Sequence, residues 1–145
     1  MKIDIKCDNQ LNQTTLTIPM ILSEENIQNV IRYINSFNKQ LNCRKNGRIF
    51  QIYIQDIYYI ESVDNKCFVY LKDEVFEANY KLYELESELK AYEFIRINKS
   101  CLLNLKYLES VKVLVYGKYE ARLFNHEKLI ISRKYMPEIK RVFGL

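Results

Sequence analysis

Phe94-Ile95-Arg96-Ile97-Asn98-Lys99-Ser100-Cys101-Leu102-Leu103-Asn104 reads as an apolar strand, a three-residue polar break and a second apolar strand. Two extended runs joined by so short a polar segment predict an antiparallel pair with Asn98, Lys99 and Ser100 at its turn. A second run, Leu129-Ile130-Ile131-Ser132-Arg133-Lys134-Tyr135-Met136-Pro137, resembles the first: an apolar strand that ends abruptly in Ser-Arg-Lys. Each run delivers an amide or hydroxyl beside a cation from the end of a rigid strand. That combination suits contact with phosphates and base edges.

Short strands dominate on either side of these runs. Period-two patterns predict strands over residues 49–54, 56–62, 67–71, 75–79, 94–97, 101–103, 108–115, 119–124 and 129–131. Turns fall at Asp64-Asn65, Lys72-Asp73-Glu74, Gly117 and Asn125-His126, and Asn46-Gly47 is a strong hairpin signal. From residue 46 onward helical spacing is confined to Leu82, Leu85 and Leu89 and to residues 137–143, where Pro137 suits a first helical turn. The expected domain is mainly β and antiparallel, with small helices at its margins.

Residues 1–41 read differently. Ile3, Ile5 and Cys7 alternate, as do Leu16 and Ile18, which predicts a hairpin. Ser23 is a good N-cap, with Glu24 and Glu25 in the first turn and Leu22 and Ile27 placed for a hydrophobic staple. Ile27, Val30, Ile31, Ile34, Phe37 and Leu41 then form one helical face. The expected organisation is therefore residues 1–41, a hairpin and amphipathic helix offering a candidate partner or dimer surface, and residues 42–145, a β domain. The first segment is too short to be a phospho-acceptor receiver domain.

Composition narrows the function classes. Hydrophobic residues make up 48% and charged residues 28%, with only 3 Gly and 2 Pro, a balance suited to a packed core without linkers. Apolar runs fall far below the roughly 20 residues needed to span a bilayer, and the first residues lack a signal-peptide layout. A cytoplasmic protein without direct membrane insertion is expected, with Cys7, Cys43, Cys67 and Cys101 as free thiols. The net charge of +4 is uneven: residues 1–41 are neutral, leaving 18 basic and 14 acidic residues in 42–145. Arg96, Lys99 and Lys106 stand in a stretch without acids, which favours a polyanionic ligand.

Catalytic and cofactor patterns are not found. His126 is the only histidine, with no nucleophile motif near it, and neither glycine-rich phosphate loops nor metal-ligand spacings occur. No enzyme, cofactor or metal is expected.

From about residue 46 onward the chain resembles the LytTR family of bacterial DNA-binding domains. Asp56-Ile57-Tyr58-Tyr59-Ile60-Glu61-Ser62 is similar to the family's D-I-x-Y-I/F-E strand, followed by the turn Asp64-Asn65-Lys66. Lys81-Leu82-Tyr83-Glu84-Leu85-Glu86 resembles its S/K-L-x-E-L-E helix. Phe94 to Ser100 resembles F-x-R-I/C-H-R/K-S, Leu103-Asn104 its V-N, and Ile131-Ser132-Arg133-Lys134-Tyr135 its V-S-R-R/K-Y. The resemblance implies an antiparallel β-sandwich of short strands that binds duplex DNA through loops reaching into successive major grooves. The loop positions are Asn65 and Lys66; Asn98, Lys99 and Ser100; and Arg133 and Lys134. Arg96, in the strand before the second loop, is a candidate phosphate contact or ion-pair partner. Asn98 stands where the family commonly has His, and Asn can pair bidentately with adenine.

The same resemblance implies a transcription regulator with a response-regulator-like output domain. It also implies homodimers on repeated sites and a multi-pass membrane partner protein. The alternative is a protein-interaction module without DNA binding, with the helix of residues 23–41 as its surface. Asn104 is expected to hold a turn, and Ser132 either to cap the last helix or to take part in the site.

Overall fold

The computed structural model describes residues 4–10, 13–17 and 23–144. Ile3, Ile18 and Leu22, assigned above to strands and to the hydrophobic staple, lie outside them. Backbone proximity divides the chain into Met1–Ile31 and Arg32–Leu145.

In the first unit, β1 (Asp4–Asp8) pairs antiparallel with β2 (Gln13–Thr17), Asp4 facing Thr17 and Asp8 facing Gln13. Every residue of both strands is exposed. Ser23 caps the next element as its sequence predicts, its Oγ accepting the Asn26 N–H at 3.2 Å. This begins α1 (Glu24–Ser36), on which Ile27, Ile31 and Ile34 remain between 40% and 44% exposed.

The helix stops at Ser36, whose hydroxyl donates to the Tyr33 carbonyl at 2.6 Å, so it does not run on to Leu41. Residues Gln40–Lys45 form strand β3 instead. Leu41 continues the helical spacing from Phe37, but Leu41 and Cys43 also alternate with polar Asn42 and Arg44. Burial of both side chains in the sheet core decides the outcome. Asn46 and Gly47, at φ 51° and 75°, turn β3 into β4 (Arg48–Tyr53) with the two left-handed residues that a type I′ hairpin requires.

The remaining strands follow the expected pattern closely. They are β5 (Tyr59–Val63), β6 (Lys66–Tyr70), β7 (Val75–Ala78), β8 (Phe94–Asn98), β9 (Cys101–Asn104), β10 (Leu108–Val113), β11 (Tyr119–Leu123) and β12 (Lys128–Ile131). One seven-stranded sheet has the order β4-β3-β7-β6-β5-β9-β8, and β10-β11-β12 form a second; all pairings are antiparallel. Side-chain alternation builds two cores from the larger sheet. Ile60, Val69 and Leu102 pack with Leu82, Leu85 and Leu89 of α2 (Leu82–Leu89). Tyr59, Ile95 and Leu103 pack with Ala121, Leu123 and Ile131 of the smaller sheet and with Ile139 of α3 (Met136–Phe143). The result is a β-sandwich with small helices at its margins. Each fully buried Leu or Ile in it contributes on the order of 1.5–3 kcal/mol.

Aromatic residues are largely structural. Tyr59 stacks on its cross-strand partner Tyr70 with ring centroids 4.2 Å apart, and Tyr58 stacks on Tyr107 at 3.8 Å. Tyr53 is exposed at the end of edge strand β4. Asn104 holds its turn as expected: it is buried, Nδ2 donates to the Ile57 carbonyl at 2.9 Å, and Oδ1 accepts the Lys106 N–H at 3.1 Å.

The four thiols separate sharply. Cys7 is exposed, whereas Cys43, Cys67 and Cys101 are buried and unpaired. Burial pushes the Cys43 thiol up to about 11 and raises Cys67 and Cys101 as well. Because the thiolate is the reactive form, alkylation of the folded protein at pH 8 is expected to modify Cys7 alone. Mass spectrometry showing rapid addition at two or more sites would contradict this.

Candidate nucleic-acid interface

Strand register brings the three expected contact segments to one rim. Glu61 faces Cys101 across β5 and β9, and the Ser62 N–H donates to the Ser100 carbonyl at 2.7 Å. The β5–β6 and β8–β9 turns therefore emerge at the same end of the larger sheet. The Ser132 N–H donates to the Ile97 carbonyl at 2.8 Å, and Asn98 Nδ2 donates to the Ile130 carbonyl at 2.8 Å. These two bonds join the end of β12 and the residue after it to the end of β8, across the two sheets. The order along the rim is residues 64–66, then 98–100, then 132–134. At the opposite end lie residues 105–107 and 124–127, tied by Phe124 N–H to the Tyr107 carbonyl at 3.0 Å.

The individual side chains play different parts. Lys99, Arg133 and Lys134 are exposed and, among the described residues, none is paired with a carboxylate. Lys134 Nζ lies 5.4 Å from the centroid of the Tyr135 ring. Lys66 is exposed but ion-paired with Glu77 at 3.4 Å. Asn65, at φ 65° beside Asp64 at φ 49°, forms the β5–β6 turn and is exposed.

Arg96 and Asn98 face inward to the loop. The Arg96 guanidinium donates to Glu86 on α2 at 2.7 Å, to the Asn98 carbonyl at 2.8 Å and to the Lys99 carbonyl. An arginine with these three acceptors is a clamp that fixes the loop backbone, and the ion-pair role is the one the structure gives it. The Asn98 amide is similarly occupied. Its Nδ2 holds the Ile130 carbonyl, while its Oδ1 accepts the Ser100 N–H at 2.9 Å and hydroxyl at 3.1 Å. Ser100 is thus a partner of Asn98 and half-buried. The Ser132 side chain makes no capping bond; its backbone N–H carries its contribution.

Three residues have a place at the rim that the sequence did not show. Glu86, the acid that anchors Arg96, looks in the sequence like one of several solvated glutamates. Gly117 lies against the Arg133 stem, so that a Cβ there would stand 3.0 Å from Arg133 Cδ. One of only 3 glycines in the chain, it could have signalled a close approach. Lys140 lines a depression shared with Arg133 and Tyr119.

Comparison with known proteins agrees with this architecture. The family model for the LytTr DNA-binding domain matches residues 47–144. The solved LytTr DNA-binding domain of a Bacillus cereus protein superposes with a TM-score of 0.68 at 19% identity, covering 73% of this chain and 97% of that one. An uncharacterized HTH-type transcriptional regulator of Staphylococcus aureus is 25% identical over 142 residues, 97% of this chain and 96% of its own length. The sensory transduction protein LytT of Enterococcus faecalis is 26% identical over 98 residues; the match covers 68% of this chain but only 40% of that relative. No helix among the described residues is long and apolar enough to cross a membrane. With the family match extending over most of its length, the chain belongs to the LytTR family of DNA-binding domains.

Proposed function

We propose that residues 42–145 bind duplex DNA sequence-specifically, as the DNA-binding part of a bacterial transcription regulator. The observation that carries this reading is the rim itself. Two hydrogen bonds join the end of β8 to the end of β12 and the residue after it, and Lys99, Arg133 and Lys134 project there without carboxylate partners among the described residues. Cations left unpaired on an ordered edge are available to phosphates and guanine, whereas Lys39, Lys45 and Arg122, among others of the described residues, are held in ion pairs.

In this reading the parts follow the order along the rim. The outer segments, Asn65-Lys66 and Arg133-Lys134, enter successive major grooves, and Asn98-Lys99-Ser100 meets the backbone between them. Arg96 and Asn98 act by holding this loop, and Lys99 makes the contact. The exposed Ile27, Ile31 and Ile34 of α1 favour the first 41 residues as a partner or dimer surface, consistent with binding to repeated sites as a homodimer. A multi-pass membrane partner and a cytoplasmic location complete the proposal.

The test is selection of bound duplexes from a random pool, followed by footprinting and affinity measurements across salt concentration. With about five phosphates neutralised, log affinity is expected to fall with log salt at a slope of about −4 to −5. An interaction-only module would enrich no sequence and show no salt-dependent duplex binding.

A further inference from the structure

We propose that the β10–β11 turn, residues 114–118, is an additional DNA-backbone contact that flanks Arg133, with Tyr116 and Lys118 touching sugar and phosphate and Lys140 of α3 acting beside the same arginine. This rests on the reading of Arg133 as a DNA contact and extends it to a second pair of elements.

The placement follows from register. Tyr119 faces Ile131 across β11 and β12, which brings the preceding turn to the end of the sheet where Ser132 and Arg133 emerge. The turn closes on itself through Leu114 N–H to the Lys118 carbonyl at 2.8 Å. The Arg133 stem then lies on Gly117: a Cβ there would be 3.0 Å from Cδ and 3.6 Å from both Cγ and Nε. The turn therefore fixes the path of the arginine side chain.

Tyr116 supplies a second, independent observation. It sits in the left-handed region at φ 60° and ψ 29° and is 94% exposed. A tyrosine held in a disfavoured conformation with its ring in water contributes little to packing. Beside a cation aimed at nucleic acid, the same ring can lie against a sugar and offer its hydroxyl to a phosphate.

Charge agrees with this placement. Lys118 and Lys140 are exposed and have no carboxylate partner among the described residues. The depression bearing Lys140 is lined by Tyr119, Arg133, Met136, Pro137 and Arg141 and by no acid, although Arg141 is ion-paired with Glu138. Lys118 and Lys140 thus extend the basic surface around Arg133 to its two neighbouring elements.

The experiment measures binding to the duplex recovered by selection, by fluorescence anisotropy over a range of salt, for the full chain and its variants. Lys118→Ala and Lys140→Ala are each expected to weaken binding by about 5- to 100-fold and to reduce the salt slope by about one. Tyr116→Ala is expected to weaken binding with the slope unchanged, because it removes no charge. Gly117→Ala and Gly47→Ala form a matched pair: φ is 71° and 75°, but a Cβ at Gly47 meets nothing within 4 Å. Only Gly117→Ala should lose DNA affinity beyond what its change in folding explains.

Wild-type affinity and slope for Tyr116→Ala, Lys118→Ala and Lys140→Ala would overturn the proposal. If Arg133→Ala still weakened binding in that case, DNA recognition at Arg133 would stand and only the flanking contacts would fall. If Lys99→Ala and Arg133→Ala were also without effect, both readings would fall together.

Discussion

Replacing Lys99 and Arg133 together by alanine is expected to weaken duplex binding by about 2–6 kcal/mol, the sum of two losses of roughly 1–3 kcal/mol each. Both side chains are exposed and carry no ion pair among the described residues, so their removal leaves no buried group unsatisfied there. The folded state should be nearly unchanged, and thermal melts of the double variant should overlay those of the parent. The informative control is Lys72→Ala with Lys106→Ala. It removes the same charge from the opposite end of the domain, where Asn125 Nδ2 meets the Lys72 carbonyl at 3.4 Å. Equal losses from the two doubles would mean that net charge alone drives binding. Loss from the first double only would assign the rim.

Leu102→Ala is expected to cost about 2–5 kcal/mol of folding free energy. Leu102 is fully buried in β9, between β5 and β8, facing Ile60 on one side and Arg96 on the other. Its side chain belongs to the core under α2, while its neighbours Cys101 and Leu103 enter the core under the smaller sheet. Truncation opens a cavity in a strand whose four residues are all buried, which leaves little freedom to collapse. Urea unfolding gives the measure. A shift below about 1 kcal/mol would mean that the layer of α2 repacks around the missing atoms instead of leaving a cavity.

Much of the β domain was legible because its strands alternate cleanly. Phe94 to Asn104 could be read as two strands and a turn, and Asn46-Gly47 as a hairpin, from residue types alone. Strand β3 was missed because Leu41 satisfies two periods at once, four residues after Phe37 and two before Cys43. Only the sheet's demand for a partner to β4 separates the two. The Asn-Gly turn already implied that partner, since a hairpin needs a strand on both sides.

The candidate site was legible as residue types and less so as geometry. Lys99, Arg133 and Lys134 stand free at the rim, as cations beside a strand end should. Asn98 and Arg96 look just as suited to a ligand in sequence. Their hydrogen-bonding capacity is shared between the loop itself and groups on other elements: the Ile130 carbonyl for Asn98 and the Glu86 carboxylate for Arg96. Long-range acceptors of this kind leave no local pattern. The turn at Gly117 was visible as a turn, but its contact with Arg133 spans two strands and could not be read from spacing.

The paired bonds from Ser132 to Ile97 and from Asn98 to Ile130 have a thermodynamic consequence. They order the loop before any duplex arrives, so the conformational entropy of that segment is already lost in the free protein. Docking then resembles the meeting of two rigid bodies, and its heat-capacity change should reflect the surface covered rather than a segment folding on contact. Under the proposed reading the rim would act as a preformed template, so that the DNA's ability to conform to it would add to the discrimination made by contacts in the grooves.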